Sequence, residues 1–167
     1  MVTKRKEDYL EAIDEVVKKK GFAKVVDISR TLGIGFSSVS EMFQKLAEEG
    51  YLIYEKYKGV TLTERGKKVA KETQNRHDTL RSFLVILGVD EEVANEDACK
   101  IEHVVHRQTM EKLERFVSFV QQFEKFPIWL EYFKHYLKTG EFFLSSHPEI
   151  KKKCPIYQKL KKEEREI

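Results

Sequence analysis

Residues 25–50 read VVDISRTLGIGFSSVSEMFQKLAEEG and contain two short amphipathic segments. The first predicts a helix over residues 25–32, and the second predicts a helix over about residues 37–49. Residues 33–35, Gly-Ile-Gly, form the turn between them, and Gly50 ends the second helix. Two short helices joined by a short turn that contains glycine indicate a helix-turn-helix.

The segments on either side complete a winged helix. Residues 5–20 carry an apolar stripe with helical spacing and end at Gly21. Residues 51–62 contain two β-prone runs around a basic tip with a glycine, which predicts a hairpin. Thr63 can cap a long helix over about residues 64–87. Three helices and a two-stranded wing in this order predict a winged helix-turn-helix.

The rest of the chain is also predicted to be helical, so the fold class is mainly α. Asp90 can cap a helix that carries Cys99, and further helices are expected over about residues 109–124 and 128–138. Because no Gly/Ser-rich linker interrupts the chain, the domain boundary is expected inside the long helix. The predicted units are a winged helix-turn-helix over residues 1–72, an all-helical domain over residues 73–126 and a helical, charged extension over residues 127–167.

The composition limits the class of protein. The 167 residues include 35% charged side chains and carry a net charge of +3. No run approaches the ~20 apolar residues of a membrane span, and the amino-terminal residues lack the apolar segment of a signal peptide. Cys99 and Cys154 do not form a disulfide framework, so we expect a cytoplasmic protein without a membrane partner.

One face of the second helix of the helix-turn-helix carries side chains suited to reading DNA. Its first residues bring short hydroxyls to phosphates or base edges, Gln44 can pair with adenine, and Glu41 can accept from cytosine N4. Between Lys56 and Lys71 there are six basic residues and one acidic residue, which suits a phosphate backbone. The predicted contacts with double-stranded DNA are Ser37, Ser38, Ser40, Glu41, Gln44, Lys56 and Lys58. The alternative is a solvated face on a protein-binding winged helix.

Residues 99–103, CKIEH, place a thiol, a carboxylate and an imidazole at positions i, i+3 and i+4. In a continuous helix these three side chains share one face with His106, whereas Val104 falls on the opposite, core-facing side. Three protein donors rarely complete a transition-metal shell, so a metal site here needs donors from elsewhere. The alternative is a buried cysteine beside a solvated carboxylate and imidazole.

Two other segments offer such donors. Asp8 and Glu11 lie at i and i+3 and share one face of the first helix. His77 lies inside the long helix, in phase with Leu80 and Leu84, on a face that is normally packed. Each has an ordinary alternative, because two such acids are often a solvated face and a lone histidine in that position is often a hydrogen-bonded core residue.

Six segments between residues 5 and 125 occur together in one order. They are EDYLEAI at 7–13, SSV at 37–39, YLIYEKY at 51–57, LTERG at 62–66, RH at 76–77 and CKIEH at 99–103. In this combination the chain resembles the DtxR/MntR family of metal-dependent repressors, named for the diphtheria toxin repressor and the manganese transport regulator. The resemblance implies a transcriptional repressor of metal-homeostasis genes, not an enzyme, that binds a palindromic operator as a homodimer. It also implies that residues 73–126 bind metal and form the dimer, with metal between the two domains fixing the spacing of the recognition helices.

The resemblance further implies a set of metal ligands, namely Asp8, Glu11, His77, Cys99, Glu102 and His103. The two acids of the first helix match the manganese-type members, whereas Cys99 matches the iron-type members. Arg81 and Asn95 stand where the iron type has ligands of a second, ancillary site. Carboxylates and imidazoles suit Mn2+ or Fe2+, while a thiolate favours softer ions. The prediction is therefore Fe2+, with Mn2+ close behind, at one or two ions per subunit.

Two other functions stay open on the residues alone. One is a winged-helix interaction module with a structural zinc site, which would unfold without its metal. The other is a small metalloenzyme that uses Cys99, Glu102 and His103. The sequence shows no glycine-rich phosphate loop and no second base–nucleophile pair, and an enzyme would leave the winged helix unexplained.

Overall fold

The computed structural model describes residues 2–55, 58–123 and 127–141. The helices are α1 (Lys4–Lys20), α2 (Val25–Leu32), α3 (Phe36–Glu48), α4 (Glu64–Ile86), α5 (Glu91–Ile101), α6 (Arg107–Gln121) and α7 (Ile128–Thr139), and the strands are β1 (Leu52–Glu55) and β2 (Gly59–Leu62). The prediction of a mainly helical protein with an amino-terminal winged helix-turn-helix is confirmed. No helix in the described ranges is long and apolar enough to cross a membrane. The predicted extension beyond residue 141 lies outside these ranges.

The winged helix is built around one apolar core. Its large buried side chains include Tyr9, Leu10, Ile13, Ile28, Val39, Phe43 and Leu46. The wing is an antiparallel pair in which Leu52 lies opposite Leu62. Ala23, between α1 and α2, extends this pair, because its N–H donates to Val60 O at 2.9 Å and its carbonyl accepts from Val60 N–H at 2.8 Å. These two bonds hold the wing against the helices.

The start of α4 passes very close to the wing. The Thr63 hydroxyl accepts from Gly66 N–H at 3.1 Å, so the predicted cap is confirmed. A Cβ on Gly66 would lie 2.2 Å from the carbonyl oxygen of Tyr51 and 2.9 Å from Leu62 Cδ2. Only glycine permits this approach, which sets the direction in which α4 leaves the winged helix.

Helix α4 continues from the first core into the second part of the protein. Ala70 packs in the winged-helix core, whereas Leu80 and Ile86 pack in two smaller clusters. The members of these clusters are Leu80, Ala98 and Met110, and Ile86, Val117, Val120 and Leu130. The Asp90 side chain accepts from Glu92 N–H at 2.9 Å and caps α5 as predicted. The division at residue 72 falls within α4 and stays a prediction.

The expected continuation of α5 through residue 106 is wrong. The helix ends at Ile101, whose carbonyl accepts from the N–H groups of both Val104 and Val105, and this tightens the chain into a turn. Val104 is 71% exposed and does not face the core. His106 is exposed at the N-cap of α6, so it does not continue the face of Cys99.

Candidate metal centre

The predicted metal-ligating side chains converge where α1, α4 and α5 meet. Two project from α1, one from α4, one from α5, and two from the turn that follows α5. The first four line a cavity of about 610 Å³, and the two turn residues line a neighbouring cavity of about 850 Å³. We call this group the candidate metal centre, and it consists of Asp8, Glu11, His77, Cys99, Glu102 and His103.

Glu102 lies in the middle of the candidate metal centre. It is 2% exposed, although it carries an ionisable group. Its Oε2 is 3.0 Å from His77 Nδ1, and its Oε1 is 3.1 Å from His103 Nε2. A buried carboxyl group needs polar partners, and here the two imidazoles supply them.

His103 links the turn after α5 to the winged helix. Its Nδ1 lies 2.7 Å from Glu7 Oε2, and because an ionised carboxylate only accepts, Nδ1 carries the proton. Its Nε2 lies 3.0 Å from Asp8 Oδ1 and 3.1 Å from Glu102 Oε1, yet it is buried without an aligned hydrogen bond. A buried nitrogen among carboxylate oxygens, with no hydrogen bond of its own, fits the position of a metal ligand.

Three acidic side chains of the candidate metal centre are harder to ionise than usual. Burial, reinforced by the Glu102 carboxylate, raises the pKa of Glu11 from 4.5 to about 7. Burial also raises the pKa of the Glu102 carboxyl, against the opposing effect of His103 and His77. Cys99 is exposed along one side, but partial burial and then the Glu102 charge raise the pKa of its thiol. A divalent cation would favour the ionised forms of all three groups, because it supplies the opposite charge they lack.

Glu102 contacts both imidazoles, and Asp8 contacts His103. Among residues 2–55, 58–123 and 127–141, no group of three or more His, Cys, Asp or Glu side chains is arranged so that it could hold a metal ion without moving. The donor types nevertheless fit a divalent metal, since carboxylate oxygens and imidazole nitrogens suit Mn2+ and Fe2+. The orphaned Nε2 of His103 supports the same fit.

The sequence did not predict the contacts that two further residues, Glu7 and Asn95, make with the centre. Glu7 bridges two groups, because its Oε1 is 2.8 Å from an Arg76 guanidinium nitrogen while its Oε2 contacts His103. Asn95 Oδ1 lies 3.1 Å from Nε2 of His77. A signal for Asn95 existed, since it lies four residues before Cys99 on α5 and so shares its face. Arg81, the other residue at a position of the iron type's ancillary site, is paired with Glu91.

The predicted DNA-contacting residues are largely accessible. Ser37, Glu41 and Gln44 are exposed on α3, and Ser38 and Ser40 are partly exposed. On the wing, Lys58 is exposed with its Nζ 3.3 Å from Glu55 Oε2, whereas Lys56 lies outside the described residues. Phe36, at the first position of α3, is 60% exposed and was not predicted as part of this surface. An aromatic ring at the start of a recognition helix can contact a thymine methyl group.

Comparison with known families gives two adjoining matches. Residues 1–60 match the family described as "Iron dependent repressor, N-terminal DNA binding domain". Residues 63–125 match "Iron dependent repressor, metal binding and dimerisation domain". The first match covers the winged helix, and the second covers the part that supplies His77, Cys99, Glu102 and His103.

Individual proteins give the same result. The HTH-type transcriptional regulator MntR of Bacillus subtilis (strain 168) is 43% identical over 125 residues, which cover 75% of this chain and 86% of that protein. The structure of the manganese regulator SloR is similar at a TM-score of 0.61 and 29% identity, covering 68% of this chain and 54% of that one. A manganese-dependent transcriptional repressor in complex with manganese is similar at a TM-score of 0.60 and 29% identity, covering 68% and 53%. The matched part therefore spans about half the length of these two solved regulators.

Proposed function

The chain belongs to the iron-dependent repressor (DtxR/MntR) family, and we propose that it represses metal-homeostasis genes in response to Mn2+. It is a metal-dependent, DNA-binding transcriptional repressor and not an enzyme. The proposed active form is a homodimer on a palindromic operator, with a winged helix over residues 1–72 and a metal-binding and dimerisation domain over residues 73–126. The observation that supports it most directly is the contact of His103 with α1.

That contact connects the winged helix to the second, helical part of the protein. Asp8 belongs to the winged helix, and its Oδ1 lies 3.0 Å from Nε2 of His103 in the second part. The proposed ligands are the six residues of the candidate metal centre, and an ion held by them would connect α1 to α4 and α5. Such an ion would restrict the orientation of α3 relative to the dimer. Coupling of this kind is typically worth about 1–3 kcal/mol, or about 5- to 150-fold in DNA affinity.

We propose Mn2+ as the physiological metal, although the thiol of Cys99 suggested Fe2+. The manganese-type acids Asp8 and Glu11 are present, and two similar solved proteins are by name a manganese regulator, SloR, and a manganese-dependent transcriptional repressor. The raised pKa of Cys99 keeps its thiol protonated in the metal-free protein. Binding a metal through the thiolate therefore requires that the thiol lose its proton and that the resulting charge be partly buried. Direct metal titration would determine whether one or two ions bind each subunit.

The DNA contacts are proposed for α3 and the wing. The hydroxyls of Ser37, Ser38 and Ser40 would meet the backbone or base edges, Gln44 and Glu41 would read bases, and Lys58, with Lys56, would contact phosphates. The paired helices of a dimer would then enter major grooves one helical turn apart.

The test measures binding to the protein's own promoter fragment. Fluorescence anisotropy is recorded at fixed salt with reductant, first in EDTA and then with excess Mn2+. We expect Mn2+ to tighten operator binding at least tenfold in the wild-type protein and to have no effect on Glu102→Ala. Glu111→Ala, a half-exposed carboxylate that pairs with Arg107, is the matched control and should respond as the wild type does.

Two results would contradict the proposal. Equal operator affinity in EDTA and in Mn2+ would mean that the protein is not a metalloregulator. Unfolding of the helical part in EDTA, measured by circular dichroism, would instead favour a structural metal site. The proposed regulator stays folded without metal, because its two parts have apolar cores that contain none of the six ligands.

A further inference from the structure

The two imidazoles of the candidate metal centre are held in the same way from outside. In each ring, one nitrogen contacts an outer acceptor, which is a residue that is not among the six ligands. The other, inner nitrogen faces Glu102. For His103 the outer acceptor is Glu7 Oε2, 2.7 Å from Nδ1. For His77 it is Asn95 Oδ1, 3.1 Å from Nε2. The inner nitrogens are therefore Nε2 of His103 and Nδ1 of His77, at 3.1 Å and 3.0 Å from the two oxygens of Glu102.

This pattern matters because a neutral imidazole carries only one proton. The nitrogen that donates to an outer acceptor is protonated, which leaves the lone pair on the other nitrogen. A metal can bind only through that lone pair, so the outer acceptor decides in advance which nitrogen is available. We propose that Glu7 and Asn95 are positioning residues that favour, in His103 and His77, the tautomer whose free nitrogen faces Glu102.

Glu7 is itself held in place. Its second oxygen contacts the Arg76 guanidinium at 2.8 Å, and its side chain is 14% exposed, so little freedom remains for it to turn away. The chain Arg76–Glu7–His103 runs from α4 through α1 to the turn after α5. Glu7 thus orients a ligand of the second part of the protein from within the winged helix, over a separation of 96 residues.

Asn95 is exposed on α5, one turn before Cys99. A neutral amide is a weaker acceptor than a carboxylate, and the Glu102 carboxylate, 3.0 Å from Nδ1 of His77, competes with Asn95 for the ring proton. The hold of Asn95 on His77 should therefore be weaker than that of Glu7 on His103. The proposal therefore predicts a ranking, with a larger effect for loss of Glu7 than for loss of Asn95.

The inference rests on the proposed Mn2+ function, and the experiment separates the two. Mn2+ affinity of the full chain is measured by electron paramagnetic resonance of free Mn2+ for the wild type, Glu7→Ala, Glu7→Gln and Asn95→Ala. Glu111→Ala and Glu96→Ala serve as controls, since they remove exposed carboxylates near the same cavity and on the same helix. Outer partners of metal-bound histidines typically contribute about 10- to 100-fold in affinity.

A second readout reports the tautomers directly. Two-bond 15N–1H correlations of the histidine rings are recorded for the metal-free proteins. We expect the wild type to show His103 protonated at Nδ1, whereas His77 should exchange between its two tautomers, because Asn95 and Glu102 accept at opposite nitrogens of its ring. Glu7→Ala should lose the single tautomer of His103 and bind Mn2+ at least tenfold more weakly, while Glu7→Gln, which retains an acceptor oxygen, should recover part of both. Asn95→Ala should change only His77 and weaken binding less.

The outcomes are distinct. If the wild type itself does not bind Mn2+, the proposed function fails. If the wild type binds but Glu7→Ala and Asn95→Ala bind within twofold of it, the positioning role is refuted. It is equally refuted if their affinities fall while the ring signals of both histidines stay unchanged, because Glu7 and Asn95 would then act only on packing.

Discussion

Replacing Glu11 by Gln should make the metal-free protein more stable and the metal-loaded protein less so. The pKa of Glu11 rises from 4.5 to about 7 chiefly because the side chain is buried. Between these values the folded state holds a proton that the unfolded state has released. Stability is therefore lost as the pH rises from about 4.5 to about 7, and Gln avoids this loss because it carries no charge.

The size of the effect follows from the pKa change. A shift from 4.5 to about 7 corresponds to about 3 kcal/mol at 1.36 kcal/mol per pKa unit. Glu11 is only partly buried, and solvent screening reduces this figure, so we expect a gain of about 1–2 kcal/mol at pH 8. At pH 5 less than about half of the gain should be left. In Mn2+ at about a hundred times Kd, the wild type should gain about 2.7 kcal/mol, and Glu11→Gln should lose most of that benefit.

The assay is urea unfolding followed by circular dichroism, at pH 5 and pH 8, in EDTA and in Mn2+. Glu48→Gln, an exposed carboxylate at the end of α3, is the control and should leave the free energy of unfolding unchanged under all four conditions. If Glu11→Gln is no more stable than the wild type at pH 8 in EDTA, the penalty that burial is expected to place on the Glu11 carboxylate does not exist. A gain of equal size at pH 5 and pH 8 would mean that packing, and not ionisation, is responsible.

Further predictions concern the fold, the DNA surface and the metal. Gly66→Ala should cost about 1–3 kcal/mol in urea unfolding because its Cβ meets the backbone of the wing, whereas Gly35→Ala, with no atom within 4 Å, should stay within about 0.5 kcal/mol. Gln44→Ala should relax base preference in a binding-site selection experiment at a cost of about 1–3 kcal/mol on the best site. Lys58→Ala should weaken binding to all sequences alike and reduce the salt slope by about 1, and an unchanged slope would remove it from the phosphate contacts. Cys99→Ser should lower Zn2+ affinity, measured by competition with a chelator, more than Mn2+ affinity, because the thiolate favours the softer ion.

Much of the fold follows from local patterns in the sequence. Apolar residues at helical spacing predicted α1, α2 and α3 to within one residue of their observed ends, and Thr63 and Asp90 cap the helices that they were expected to cap. These features depend on residues a few positions apart, so they are visible without tertiary structure. The error came at residues 102–106, where helical periodicity was extended past the true end of α5.

The candidate metal centre was also predictable from the sequence only in part. The spacing of Asp8 and Glu11, and the sequence CKIEH, identified donors that could share a face, and the resemblance to a family joined them into one set. That resemblance carried information about distant contacts which neither composition nor periodicity contains. The roles of Glu7 and Asn95 were missed because their partners, His103 and His77, lie 96 and 18 residues away along the chain.

The sequence by itself determines the winged helix, its basic wing and the order of the donor residues along the chain. Each of these features depends on short-range spacing and side-chain chemistry. Tertiary packing alone decided that Glu102 is buried between two imidazoles, that Glu11 titrates near neutral pH, and that Glu7 reaches across to His103. Burial and the distance between charges control these properties, and both arise only when α1, α4 and α5 come together.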